Sequence, residues 1–133
     1  MSVTRNKALI DKYFELMNEG NPEKMLACLT DDFVFESMLQ KPAALNFSWG
    51  KEQFAKASGV MSSQMKKPIK IWIVNMTGED DKVAVEAKSY GEMNSGKLYE
   101  NAYHFLFKLR TGKIYNCREY SCSYTAHDCF GAL

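Results

Sequence analysis

GKLYENAYHFLFKLRTGKIYNCREYSCSY, residues 96–124, reads as two long strands folded back on each other. Tyr99, Asn101, Tyr103, Phe105, Phe107 and Leu109 alternate with Glu100, Ala102, His104, Leu106, Lys108 and Arg110, which is the period of a strand with two distinct faces. Thr111-Gly112-Lys113 supplies a turn, and the aromatic and β-branched run from Ile114 to Tyr124 returns as the second strand of a β-hairpin closed through Gly112. One face of the first strand is core-like at Phe105, Phe107 and Leu109 and continues into the polar heads of Asn101 and Tyr103. Covered by helices, those heads require partners or line a cavity.

Upstream of the hairpin, Ile69 to Met76 and Lys82 to Met93 alternate in the same way, separated by a turn at Gly78-Glu79-Asp80-Asp81. The first half of the chain has a different period. Leu9, Ile10, Tyr13, Phe14, Leu16 and Met17 recur at three- and four-residue spacing, predicting an amphipathic helix with Thr4 as N-cap and Gly20 as stop. Asn21-Pro22-Glu23 opens a second, short helix that buries Met25, Leu26, Cys28 and Leu29 and breaks at Thr30-Asp31-Asp32. Phe33 to Met38 is a short strand, Leu39 to Trp49 an irregular segment, and Gly50 to Lys67 a third helix with Phe54, Ala57, Val60, Met61 and Met65 inward. Thr125 to Leu133 is a tail with little pattern. The resulting order, three helices in the N-terminal half and four antiparallel strands after them, predicts one α+β domain over residues 1–133 in which helices cover one face of a curved antiparallel sheet.

Apolar types at 46% and charged types at 25% are ordinary for a globular protein, and a net charge of +1 with scattered lysines excludes the basic excess of a general nucleic-acid binder. Neither a signal-peptide core nor an apolar run of membrane-spanning length is present, so a cytoplasmic location without membrane partners is expected. Cys28, Cys117, Cys122 and Cys129 are then expected to be reduced, and their spacing with His127 matches no common zinc finger or ribbon, so no metal is expected.

The element order and several local phrases resemble the nuclear transport factor 2-like superfamily, and within it the SnoaL-like polyketide cyclases and ketosteroid isomerases. The phrases are Lys12-Tyr13-Phe14, Asn18-Glu19-Gly20-Asn21, Leu29-Thr30-Asp31-Asp32, Gly112-Lys113-Ile114 and Arg118-Glu119-Tyr120, and the likeness runs from Ile10 to about Tyr124. It implies a cone-shaped sheet with helices across its mouth, a site inside the cone that works without a cofactor, and dimerisation through the convex side of the sheet. In ketosteroid isomerases a helix-one Tyr and a protonated Asp stabilise an enolate oxygen while a first-strand Asp moves the proton. Tyr13 falls at the position of that Tyr, whereas Ser37 stands for the general base and Tyr103 for the oxyanion-stabilising Asp, two departures from the pattern.

Alternation on the last two strands places Asn101, Tyr103, Cys117, Glu119 and Ser121 inward, facing Tyr13 and Ser37. Glu119 has two readings. A carboxyl desolvated in an apolar cavity has a raised pKa and serves as general acid or base, with Tyr13 and Tyr103 polarising a carbonyl or phenol-like oxygen; alternatively it pairs with Arg118 or closes an internal polar network. Glu36 competes with Ser37, since a bulge or one-residue slip exchanges which of them faces inward. Trp49 either closes the cone over a ligand or anchors its loop. The chain is therefore expected to handle a small hydrophobic, polyketide- or steroid-like molecule as an isomerase, cyclase or dehydratase. The rival is a non-catalytic binding or interaction module on the same scaffold.

Overall fold

The computed structural model describes residues 2–131. Its α-helices are α1 (Val3–Asn18), α2 (Pro22–Ala27), α3 (Lys51–Ser63) and α4 (Ser123–Phe130), and its strands are β1 (Leu29–Ser37), β2 (Ser48–Gly50), β3 (Lys70–Glu79), β4 (Lys82–Glu92), β5 (Leu98–Arg110) and β6 (Lys113–Ser121). The strands form one open sheet in the order β2-β1-β6-β5-β4-β3. All neighbours are antiparallel except β1 and β6, which run parallel, so the sheet is mixed where the hairpin pattern alone predicted an antiparallel one. The parallel pair follows from the long excursion through β2, α3 and three strands that separates β1 from β6 in the chain.

The β5–β6 hairpin is the spine. Arg110 pairs with Lys113 across a two-residue turn in which Thr111 and Gly112 both have positive φ, 52° and 78°, the backbone hand that matches the twist of the flanking strands. Val83, Val85 and Ala87 of β4, Phe105, Phe107 and Leu109 of β5, and Ile114 and Cys117 of β6 lie on the inner face and pack with Ile10, Tyr13, Phe14 and Leu16 of α1. Phe107 meets Tyr13 and Phe14 edge-on at centroid separations of 6.0 Å each. This is the helix stripe predicted from the sequence, seated on the predicted strand face. Asn18, at the end of α1, completes the edge of β3: its amide donates to the Ile71 carbonyl and accepts from the Ile71 N–H, both at 2.7 Å.

Several boundaries differ from the sequence reading, each for a local reason. Ser2, not Thr4, caps α1 by accepting from the Arg5 N–H at 3.1 Å. β1 begins at Leu29, paired with Ile114, and its register breaks before Val34, which lets Asp31 and Asp32 stay in solvent; Asp32 pairs with Arg110 at 2.6 Å. The segment before α3 contains β2, whose Trp49 pairs with Phe35. α3 stops at Ser63, with Val60 exposed, and Met65 instead bridges to Met93 in a small second core with Tyr99.

The largest departure is α4, in the stretch read as a patternless tail. β6 ends at Ser121 opposite Tyr103, so residues 98–102 of β5 lack a strand partner on that side, and α4 lies there instead. Phe130 packs edge-on against Tyr99 at 4.8 Å, and the Lys97 ammonium donates to the Asp128 carbonyl at 2.8 Å and to its carboxylate at 3.3 Å. None of the residues of α4 is fully buried, so no apolar stripe marks it in the sequence.

Candidate functional site

Lys108 and Asn116 are partners across the hairpin, and so are Leu109 and Ile114, which leaves Tyr115 as an extra residue on β6. This bulge resets the alternation so that Cys117, Glu119 and Ser121 face the helices. Glu119 lies level with Ser37 of β1 on one side and Phe105 of β5 on the other. Burial raises its carboxyl from the ordinary 4.5 to about 7, against a smaller opposite effect of a hydrogen bond from Ser121. Arg118 points to the other face, where its Nε donates to Glu36 Oε2 at 2.7 Å. The competition between Glu36 and Ser37 is thereby resolved: Ser37 is buried inside and Glu36 is an outer-face ion-pair partner. Among the described residues Glu119 itself has no cation partner.

Beside it runs a chain of hydroxyls. Tyr103 OH lies 2.8 Å from Ser89 Oγ and 2.7 Å from Tyr99 OH, and Asn101 Nδ2 donates to Tyr99 OH at 3.1 Å. Asn101 Oδ1 accepts the backbone N–H groups of Ala102 at 2.9 Å and Cys122 at 3.1 Å, which fixes the amide's orientation. Burial pushes the Tyr103 phenol far above its ordinary value and Tyr99 up to about 12, and the charge of Glu119 adds to both shifts. The same two causes, burial first, raise Tyr13 and Cys117. Five titratable groups from one helix and two strands thus share one poorly solvated interior, where the three phenols and the thiol stay neutral near pH 7 and Glu119 is balanced between its acid and its carboxylate.

The remaining positions named from the sequence have definite surroundings. Tyr13 is buried, with its ring edge against Phe14 and Phe107, and its hydroxyl forms no hydrogen bond among the described residues. Ser37 Oγ donates to the Leu45 carbonyl, and its N–H donates to the Phe47 carbonyl at 2.9 Å, so it ties the irregular segment to β1. Trp49 stacks on Phe47 at a centroid separation of 3.8 Å and joins Phe35 and Phe54 in one aromatic cluster. Two residues of the hydroxyl chain, Tyr99 and Ser89, were not singled out from the sequence. The signal was parity: Tyr99 lies on the face of Asn101 and Tyr103, and Ser89 on that of Val83, Val85 and Ala87.

One surface groove among the described residues, of about 380 Å³, runs along Trp72, Ser89, Tyr90, Asn101 and Cys122 at the junction of the sheet with α4; another, of about 740 Å³, lies where α3 begins, near Asp31 and Lys51. Glu119 lines neither. Among the described residues no cluster of three or more His, Cys, Asp or Glu side chains is placed to hold a metal, and no helix is long and apolar enough to cross a membrane. The four thiols are unpaired.

Solved structures share this architecture over nearly the full length of the chain. PrhC from Penicillium brasilianum superposes with a TM-score of 0.87 at 16% identity, covering 98% of this chain and 89% of that one. A candidate isomerase from Bacillus subtilis gives 0.83 at 17% identity, covering 100% and 98%. A candidate SnoaL-like polyketide cyclase from Jannaschia sp. CCS1 gives 0.79 at 19% identity, covering 98% and 94%. At such identities these likenesses show the fold and leave the chemistry open. No curated protein matches the chain significantly. The model of the SnoaL-like domain, however, matches from residue 10 to residue 117, from the buried face of α1 through the bulge that turns β6 inward. The chain belongs to the SnoaL-like domain family.

Proposed function

We propose that the protein acts on a small hydrophobic carbonyl compound, polyketide- or steroid-like in shape, by general acid–base chemistry in the cone. Glu119 is the proton-transfer group. As carboxylate it takes a proton from the carbon next to the carbonyl; the electron pair of the broken C–H bond moves onto the carbonyl oxygen, and the resulting carboxylic acid returns the proton to another carbon or to a leaving oxygen. Tyr103 and Tyr13 donate hydrogen bonds to the oxygen on which charge develops. Cys117, Ser121, Trp49 and Ser37 belong to the lining, and the chemistry asks for no cofactor. The observation that carries this reading is the unpaired carboxyl of Glu119, poised near neutral pH beside phenols that remain protonated.

The test is exchange of the α-protons of 2-acetylnaphthalene in D₂O, followed by NMR. The wild-type protein should accelerate exchange, and Glu119→Gln should remove roughly 10²-fold or more of that acceleration with the fold intact. Exchange that survives in the variant contradicts the role.

A second reading has its own support. Ser37 and Asn101 direct their polar atoms to protein partners, while Trp72, Tyr90 and Tyr120 stand exposed on the outer face of the sheet. In this reading the scaffold binds without turning over, and the outer face joins two copies of the chain. A ligand bound and released unchanged, with no exchange at any pH, would favour it.

A further inference from the structure

The hydroxyl chain on β4 and β5 has a direction, and the direction selects a ligand. Asn101 Oδ1 is held by two backbone N–H groups, so its Nδ2 must be the donor to Tyr99. The Tyr99 oxygen is therefore an acceptor, and the only acceptor beside its own proton, among the described residues, is Tyr103 OH at 2.7 Å. If Tyr103 donated to Tyr99 instead, the Tyr99 proton would be a buried donor without a partner; in the direction chosen the proton left over is that of Ser89, which, unlike Tyr99, lines the 380 Å³ groove and meets water there. Tyr103 thus accepts from Tyr99, and its own proton points onward, to Ser89 Oγ at 2.8 Å. Ser89 is the one member that has an alternative, since a hydroxyl rotates and serves equally as donor or acceptor.

We propose that Asn101 and Tyr99 are positioning residues that aim the Tyr103 proton at the ligand, so that the site takes a molecule presenting a hydrogen-bond acceptor oxygen in the place Ser89 Oγ now holds. This deepens the proposed function and rests on its placement of the ligand in the cone. A phenol that accepts one hydrogen bond is a stronger donor of the next, so the two residues behind Tyr103 strengthen its grip on a carbonyl or enolate oxygen without touching it. The chain begins at the head of α4, because one of the donors that orient Asn101 is the Cys122 N–H. The helix that fills the gap left by β6 is therefore also the anchor of the donor chain.

The experiment uses 2-acetylnaphthalene labelled with ¹³C at the carbonyl, its bound band read by isotope-edited infrared spectroscopy and its affinity compared with that of 2-ethylnaphthalene. In the wild-type protein the band should lie at lower frequency than in Tyr103→Phe, and the ketone should bind about tenfold more tightly than the hydrocarbon. Tyr99→Phe keeps the ring against Phe130 and removes only the hydroxyl; it should return the band part of the way and reduce the ketone's advantage about threefold, with the fold retained by circular dichroism. Asn101→Leu should act in the same direction. A Tyr99→Phe band identical to that of the wild type, or no saturable binding of the ketone, overturns the proposal. Glu119→Gln separates the two ideas: it should keep the band shift while losing α-proton exchange. Wild-type protein that shifts the band without exchanging protons refutes only the acid–base role, and exchange without a Tyr103-dependent shift refutes only the donor chain.

Discussion

Replacing Glu119 with glutamine should change how stability depends on pH, with a sign that follows from its environment. The folded state holds the Glu119 proton up to about pH 7, whereas an unfolded chain releases it near 4.5. Between those values the folded state binds more protons, so stability falls as pH rises; the contribution is complete below the lower value and is lost above the upper one. At 1.36 kcal/mol per pH unit the interval corresponds to about 3 kcal/mol, and because Glu119 is only partly buried the effect is lowered to about 2–3 kcal/mol. Tyr13, Tyr99, Tyr103 and Cys117, the titratable groups around it, all have raised values and stay neutral over this range. Glutamine has no proton to lose, so the variant carries no such pH dependence. Thermal unfolding of both proteins from pH 4 to pH 8.5 should show the wild-type midpoint falling by about 10 °C more than that of the variant, at about 3–5 °C per kcal/mol. Parallel curves would refute the reasoning, because they require a carboxyl that titrates alike in both states.

Other perturbations follow from the contacts. Phe107→Ala opens a cavity against Tyr13, Phe14 and Phe105 and should cost about 3–5 kcal/mol in chemical denaturation. Asn18→Leu removes both bonds to Ile71 at the free edge of β3 and should cost about 1–2 kcal/mol, with faster amide hydrogen exchange at Ile71. Glu36→Gln breaks only the half-exposed pair with Arg118 and should cost under about 1 kcal/mol while leaving α-proton exchange unchanged, in contrast to Glu119→Gln. If the outer face joins two copies, Trp72→Asp should convert dimer to monomer in light scattering; identical masses for wild type and variant would remove that role from Trp72.

Much of the architecture was legible because it rests on periodicity. The stripe of α1 and the alternation of β4 and β5 each bury one face, and burying one face is what imposes a period on a sequence. The same logic placed Glu119, Tyr103 and Ser37 on the inner face. It did not reach α4, which is held by a salt bridge, a thiol–carbonyl bond and one aromatic contact instead of an apolar stripe. Nor did it reach β2, three residues long, or the parallel β1–β6 pairing, which depends on where two distant strands meet. Within the site, alternation identified which side chains share a face; it contained nothing about which of them bond to one another. The commitment of Ser37 to the Leu45 carbonyl and of Asn101 to the head of α4 depends on loop and helix positions that leave no trace in a strand's period.

The central claim is that a carboxyl inside the cone is poised to exchange its proton near neutral pH. Its most direct test is the ¹³C NMR titration of the Glu119 carboxyl carbon in protein labelled at glutamate, assigned by comparison with Glu119→Gln. The midpoint should lie near 7, well above the ordinary 4.5 of a glutamate carboxyl. A midpoint between 4 and 5 would mean that Glu119 is solvated or paired, and the acid–base role would fall with it.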